Sequence, residues 1–377
     1  MNAATTDAAD QPRLLFVSRK WPPAIGGMET YAVELAASLD TCFDVERWVL
    51  PGRDDGRPPG MLAYAAFVAK AMVRALFAGR KHERVVFVDP VLFPVALAHW
   101  LVAPSARRVV VVHGLDVIYQ QRSGLLPRLY GLYFATLRRC QFVFSRVVAV
   151  SSSTANLARA AGLREVEVIN PSLPDSALTR ARDPRDVSSA RAGFARTVLC
   201  FGRLVPRKGA LWFAQHVLPR LPADVGLVVA GPSTQPEQRA LLESLPRVRY
   251  LGAVDADTLA SLVRDADVVA MPNIPTPEAI DVEGFGLVAI EASSLGGRLL
   301  ASRLQGLVDA VVDGVTGTLV EPGDAQAWAD AVLASFAAQR EESPDHRDAI
   351  ATATRRKYSR TVQAGAFARL LSPPHGE

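Results

Sequence analysis

The sequence is short of the residues that would make a metalloprotein or a disulfide-stapled domain. Its 377 residues hold three cysteines, Cys42, Cys140 and Cys200, so far apart that neither a paired-cysteine metal site nor a disulfide framework can be read from their spacing. That usage fits a reducing compartment. Phosphate-loop, zinc-ligand and nucleophile-elbow patterns are missing, which removes the commonest NTPase, zinc-hydrolase and serine-hydrolase readings. Met1 to Gln11 is polar and acidic, without the basic start and apolar core of a secretory leader. The longest apolar run, Val85 to Pro104, is interrupted by Asp89, Pro90, Pro94 and His99. It is expected to be a buried strand and helix rather than a membrane span.

What is present is the composition of a globular protein, 49% hydrophobic and 21% charged, long enough for about two domains. The net charge of +4 is uneven. Residues 1–180 hold 21 Lys/Arg against 15 Asp/Glu, whereas residues 181–377 hold 21 against 23. A basic N-terminal half suits an acidic partner, such as phospholipid headgroups, a phosphorylated acceptor or nucleic acid; ordinary solvated arginines account for it equally well.

Short β-branched runs alternate with helical segments. The expected strands are 13–18, 44–50, 84–88, 107–112, 146–150 and 165–169, then 197–201, 225–230, 247–251, 267–271, 298–301 and 318–320. Apolar strands separated by helices predict parallel sheets covered on both faces, and twelve exceed one such domain. The stretch 170–195, with Pro171, Pro174 and Pro184, reads as the linker. The expected fold is therefore α/β, with two doubly wound Rossmann-like domains, 1–180 and 181–355, binding ligands at the C-terminal ends of their strands.

Those strand ends carry the unusual residues. After the first strand, Gly26-Gly27 leads into a helix, a pairing that permits close backbone approach or a tight turn. His113-Gly114 follows the fourth strand, where ligands bind; His82, His99, His216, His346 and His375 have no such context. Ser151-Ser152-Ser153 follows the fifth and is expected to cap a helix. Gly202-Arg203-Leu204-Val205-Pro206-Arg207-Lys208-Gly209 puts two or three cations on a loop that can neutralise a diphosphate without metal. Gly231, Gly252 and Val254 end two further strands and suit backbone contact with a base or ribose. Two D-x-D pairs, Asp255/Asp257 and Asp265/Asp267, are expected to cap or flank elements rather than bind metal. Residues 61–82 and 125–146 form basic amphipathic helices. Such helices pack on sheets, and they also suit anionic membrane surfaces.

The central stretch is Glu283-Gly284-Phe285-Gly286-Leu287-Val288-Ala289-Ile290-Glu291. Glu283 is expected in a loop, Gly284 to Gly286 opening a helix, and Glu291 two turns inside it. The first free N–H groups, at Phe285 to Leu287, would attract anionic or hydroxyl oxygens. Two carboxylates so spaced would hold different parts of one long ligand. The run also fits the dinucleotide fingerprint G-x-G-x-x-A. That fingerprint must follow a strand directly, and here the nearest, 267–271, is separated by the loop 272–282.

In this order these pieces resemble the large family-4 retaining glycosyltransferases with the GT-B fold, over nearly the whole chain. The carrying residues are Gly26-Gly27, His113-Gly114, Gly202-Arg203-Leu204, Lys208-Gly209, Gly231, Gly252, the Glu283…Glu291 pair around Phe285-Gly286, and Asp313-Gly314 through Glu321-Pro322-Gly323-Asp324. The resemblance implies two domains facing across a cleft, with a last helix, about 356–371, packing back on the first. It implies transfer of a hexose from a nucleotide diphosphate sugar, UDP- or GDP-linked, to a glycan, lipid-linked or small-molecule acceptor in cell-surface polysaccharide or glycolipid synthesis. No cofactor, metal or nucleic acid is expected. The implied setting is the cytoplasm, with the inner face of the cell membrane as a peripheral alternative.

By the same resemblance Arg203 and Lys208 stabilise the leaving diphosphate, Glu283 holds a donor-sugar hydroxyl, Glu291 the ribose and His113 a sugar hydroxyl or the carbonyl-like sugar centre. Gly26 and Gly27 approach phosphates or acceptor, and Gly202, Gly231, Val254, Gly284, Phe285, Gly286 and Leu287 complete the donor site. One departure stands out: the family commonly has Gly-Gly where this chain has Gln305-Gly306. Two rivals are a non-catalytic sugar-nucleotide binder, which does not need all of His113, Arg203, Lys208 and Glu283, and an epimerase, which would lack the Glu283…Glu291 spacing.

Overall fold

The computed structural model describes residues 11–175, 185–233, 235–276 and 280–372. Residues 1–10, the middle of the expected linker (176–184), part of the loop before Glu283 (277–279) and His375 lie outside the described residues. The described chain divides into two compact units. Residues up to Ser172 and from Ser359 onward form one, and Leu173–Tyr358 the other.

Each unit is built on one six-stranded sheet. In the first, β1 (Arg13–Trp21), β2 (Asp44–Pro51), β3 (Arg84–Phe87), β4 (Arg107–Val112), β5 (Arg146–Ala149) and β6 (Val166–Val168) lie in the order β2-β1-β3-β4-β5-β6. In the second, β7 (Arg196–Phe201), β8 (Val225–Ala230), β9 (Val248–Gly252), β10 (Val268–Met271), β11 (Leu299–Ser302) and β12 (Thr318–Val320) lie in the order β12-β11-β10-β7-β8-β9. Every pairing between these strands is parallel. The reason is legible in Val109-Val110-Val111-Val112: four consecutive valines, all buried, suit only a strand covered on both faces. All twelve expected strands form, three with the expected bounds and the rest with ends moved by one to three residues.

Strand order reverses between β1 and β3 in one sheet and between β7 and β10 in the other. Loops leaving the two strands at such a switch diverge to opposite faces and open a crevice, which is where doubly wound sheets bind ligands.

In the first unit α1 (Gly27–Leu39) follows β1, α2 (Met61–Ala78) follows β2, α3 (Phe93–Val102) follows β3, α4 (Leu125–Arg139) precedes β5, and α5 (Ser152–Ala160) follows it. Ser151 caps α5 by accepting the Thr154 N–H at 3.1 Å, as its position predicts. The helix expected at 356–371 is divided. One helix, His346–Lys357, belongs to the second unit; the last, Arg360–Leu371, is capped by Ser359 and packs on α1 in the first. There Arg360 pairs with Glu34 at 2.5 Å, and Ser38 Oγ donates to Gln363 Oε1 at 2.8 Å.

The linker expectation also needs correcting at its C-terminal end. Residues 188–191 form a helical turn of the second unit, fastened by Arg191, whose guanidinium donates to the Asp265 carboxylate at 2.9 Å. Asp267 in turn pairs with Arg196 at 2.7 Å. This explains the second D-x-D pair: its carboxylates hold arginines at a strand start. Asp255 of the first pair caps the helix Ala256–Asp265 through the Thr258 N–H at 2.8 Å.

Candidate active site

The residues gathered in the second unit stand around the β7/β10 switch. The loop after β7 carries Gly202, Arg203, Arg207 and Lys208, and Asn273 lies two residues beyond β10. Arg203, Lys208 and Asn273 line one small pocket with Gly202 and the ends of β7 and β10. Glycine is required at two points. A side chain on Gly209 would stand 1.8 Å from the Pro272 carbonyl oxygen, and one on Gly231 would stand 1.9 Å from the Gly202 carbonyl oxygen. The three strand-end loops can approach closely only because both positions lack a Cβ.

Glu283 is the centre of this group. Its Oε2 receives Lys208 Nζ at 2.5 Å, an Arg207 terminal nitrogen at 2.5 Å and Asn273 Nδ2 at 3.1 Å. Arg207 also donates through Nε to Asp281 at 2.9 Å. Burial would push the Glu283 carboxyl upward, but the two cations outweigh it and hold the group down at about 2. It is therefore an anion throughout the physiological range. Because its bonds within the protein converge on Oε2, Oε1 has no partner among the described residues. Arg203 is exposed and unpaired among the described residues, so one full positive charge stands beside an internally neutralised cluster of Lys208, Arg207, Glu283 and Asp281.

The Glu283 backbone is held as firmly. Its N–H donates to Gln305 Oε1 at 2.7 Å, and its carbonyl accepts the Gly306 N–H at 3.1 Å. A side chain on Gly306 would collide with Gly284 O at 2.4 Å and Phe285 Cα at 2.5 Å. The departure Gln305-Gly306 thus keeps the glycine that contact demands, and replaces the other with a residue that reaches back to Glu283. Gln305 adopts φ +50 to do so.

The helix beyond runs from Leu287 to Ser294. This corrects the expected start: Gly284 to Gly286 precede the helix, with Gly286 left-handed at φ 100 in the capping position, and Glu291 lies just over one turn in. Gly296, also left-handed, ends it. Phe285 turns inward against Tyr358, with ring centroids 5.7 Å apart, so its side chain packs in the core and only its backbone can face a ligand.

Gly231 has both backbone groups occupied inside the unit: its N–H donates to Gly252 O at 2.7 Å, and its carbonyl accepts Tyr250 Oη at 2.7 Å. Both groups are thus already bonded within the unit. Val254 is half-buried just before the helix that Asp255 caps.

In the first unit His113 stands just beyond β4. Its Nε2–H donates to Val88 O at 2.8 Å, which leaves the Nδ1 lone pair as the acceptor of the neutral ring. The ring packs edge-on against Tyr31 at 4.9 Å. The Asp116 carboxylate accepts the N–H groups of both His113 (2.9 Å) and Gly114 (2.8 Å), fixing the turn. Gly26 has an extended backbone at φ 173, so no left-handed turn explains it. Instead its missing Cβ makes room for Glu29, which pairs with Lys20 at 3.1 Å. Nothing lies within 4 Å of a Cβ at Gly27, the first residue of α1. Among the described residues no group of three or more His, Cys, Asp or Glu is placed to hold a metal ion.

Sequence reasoning counted Arg207 among the loop cations without giving it a role of its own, and it did not assign Asn273, Asp281 or Gln305 to the site. Asn273 was accessible in principle, as a polar residue two positions past a strand at the switch. Gln305 stood out only as a departure from the family pattern and Asp281 not at all, because their link to Glu283 is made only by tertiary folding.

Two six-stranded parallel sheets of this order, flanked by helices, are the architecture of the GT-B fold. The Anabaena protein HepE, solved in complex with UDP, superposes with a TM-score of 0.69 at 19% identity, over 95% of this chain and 99% of that one. Residues 195–337 match the family model described as Glycosyl transferases group 1. Over 85% of the chain and 88% of the relative, the sequence is 29% identical to a GDP-mannose-dependent alpha-(1-6)-phosphatidylinositol monomannoside mannosyltransferase of Mycolicibacterium smegmatis. It is 27% identical to a glycogen synthase of Mycobacterium tuberculosis over 92% of the chain and 94% of the relative. The protein is a glycosyltransferase of the GT-B fold, and its group 1 family match spans residues 195–337.

Proposed function

We propose that the protein transfers a hexose from GDP-mannose, or a closely related nucleotide sugar, to a lipid-linked or glycan acceptor with retention of anomeric configuration, in building a cell-surface glycan. The observation that carries the reading is the convergence of Lys208, Arg207 and Asn273 on one oxygen of Glu283. A carboxylate held at one oxygen by three donors offers the other to a sugar hydroxyl in a fixed direction. GDP-mannose is the first donor to test because the mycobacterial mannosyltransferase matches along most of this chain.

Breaking the donor's glycosidic bond leaves an oxocarbenium-like sugar and a diphosphate of growing negative charge. Arg203, with Lys208, answers that charge, and the N–H groups at the start of Leu287–Ser294 add donors. Glu291 is assigned to the ribose and the His113 Nδ1 lone pair to a sugar hydroxyl. The acceptor attacks on the face the diphosphate leaves, and the diphosphate takes its proton, so no side-chain nucleophile is required. Metal is not needed either, because the cations are built in. The proposed setting is the cytoplasm, where the free thiols of Cys42, Cys140 and Cys200 are stable.

The test is a thermal-shift panel of GDP, UDP and ADP with and without chelator, followed by nucleotide release from GDP-mannose and UDP-glucose. Stabilisation by GDP that survives chelation, with release from GDP-mannose, is expected. Stabilisation by UDP alone would replace the donor. Binding without turnover on any acceptor would favour a sugar-nucleotide binder.

A further inference from the structure

In the first unit the helices α2, α3 and α4 form one layer on a single face of the sheet. Right-handed crossovers from β2 to β3, β3 to β4 and β4 to β5 all run in the same direction, which puts their helices on the same side. Contacts confirm the layer. Tyr64 of α2 and Tyr133 of α4 each donate to a carbonyl at the start of α3, those of Val91 and Pro90, both at 3.0 Å. At the other end His99 of α3 bonds Gly79 O beyond α2, and Trp100 packs on Phe142 beyond α4 at 5.1 Å.

The outward surface of this layer is apolar. Leu62 and Phe77 of α2 are each 88% exposed, Leu101 of α3 is 63% exposed, and Leu129, Leu132 and Phe142 on the α4 side are at least half exposed. Isolated exposed leucines need no explanation, but an apolar array across three adjacent helices does. The charge around it is predominantly positive. Residues 56–164 hold fifteen Lys/Arg and three Asp/Glu, and none of the three acids lies on these helices. Glu83 precedes β3, Asp89 is fully buried against Arg19, and Asp116 is engaged with the His113 turn. Lys70, Arg80, Lys81, Arg128 and Arg139 are exposed on or beside these helices and outnumber the carboxylates near them, Glu46, which pairs with Arg74, and Glu83.

The structure assigns this helix layer as a docking surface for an anionic lipid bilayer, with Leu and Phe side chains entering the acyl boundary and the cations meeting headgroup phosphates. An apolar face ringed by Lys and Arg is complementary to that interface and to no neutral partner. Met61–Lys81 is long and apolar enough to cross a membrane, with a mean hydropathy of 1.6. It is nevertheless tied to the unit: Ala71 and Ala75 are buried, and Arg74 pairs with Glu46 at 2.6 Å and covers the Trp48 ring at 4.5 Å. It lies on the membrane rather than through it.

Flotation of the full-length protein with vesicles tests the assignment. Vesicles of phosphatidylglycerol and phosphatidylcholine in equal parts are compared with phosphatidylcholine alone. The protein should float with the anionic vesicles, and high salt should weaken binding. The pair Leu62→Ser/Phe77→Ser should lower partitioning at least about tenfold. The triple Lys70→Gln/Arg128→Gln/Arg139→Gln should lower it by roughly two orders of magnitude, at about fivefold per cation. Because these side chains are exposed, melting temperature and nucleotide binding should not change. No flotation with either vesicle overturns the proposal, as does equal binding to both. So does a dimer in light scattering that Leu62→Ser/Phe77→Ser dissociates while vesicles are ignored, which would make the face a contact between copies of the chain.

Discussion

The Glu283 backbone N–H donates to the side-chain oxygen of Gln305, 2.7 Å away, and Gln305 takes a left-handed backbone to receive it. A residue that resembles a departure from family pattern is thus a strut for the central carboxylate. Gln305→Gly would relieve about 1 kcal/mol of backbone strain and lose a hydrogen bond of about the same worth. Thermal stability should barely change, while kcat falls about tenfold or more because Glu283 is no longer held in register. Melting curves with steady-state kinetics check this. An unchanged kcat would reduce Gln305 to loop packing.

Arg203 and Lys208 are both cations of one loop, but their surroundings separate them. Arg203→Ala removes an exposed, unpaired charge and should leave stability within about 0.5 kcal/mol, with kcat down roughly 10²–10³-fold. Lys208→Ala should lose as much rate and also destabilise by about 3 kcal/mol, because it strips a partner from a buried carboxylate. Adding Glu283→Gln to Lys208→Ala should restore much of that stability without restoring turnover. Additive losses in this double-mutant cycle would show that the pair is not coupled.

The pH dependence follows from Glu283. Its folded pKa, about 2, lies below the ordinary carboxylate value, so its stabilising contribution is fully present above about pH 4–5 and is lost as pH falls toward 2. Its size is on the order of 3 kcal/mol. The stability difference between wild type and Glu283→Gln should therefore be flat from pH 5 to 8 and shrink below pH 4 in denaturant titrations. A difference that changed around neutrality would assign it to another group.

Two glycines should respond oppositely. Gly231→Ala places a methyl 1.9 Å from Gly202 O at φ 141, so melting temperature should fall by several degrees or more. Gly27→Ala meets nothing within 4 Å, so stability should hold, while KM for donor or acceptor rises if a ligand approaches there. A Gly27→Ala enzyme with normal kinetics would remove that residue from the site.

The sequence by itself determined the architecture: continuous β-branched runs cannot be half-exposed strands, and their alternation with helices forces parallel sheets. It also determined where chemistry could lie, because glycines, His113 and the Arg203–Lys208 loop fall at strand ends. It did not reveal that Arg207 rather than Arg203 is the buried partner of Glu283, since neighbours on one loop differ only in the direction each side chain takes. Nor did it show that Gly231 serves Gly202, that Gly284 to Gly286 precede their helix, or that Asp281, Asn273 and Gln305 meet at one carboxylate. Periodicity is a local property and survives in one dimension. Which oxygen a cation reaches, and which helix face stays uncovered, depend on groups tens of residues apart being packed to within a few ångströms, and only the folded chain decides that.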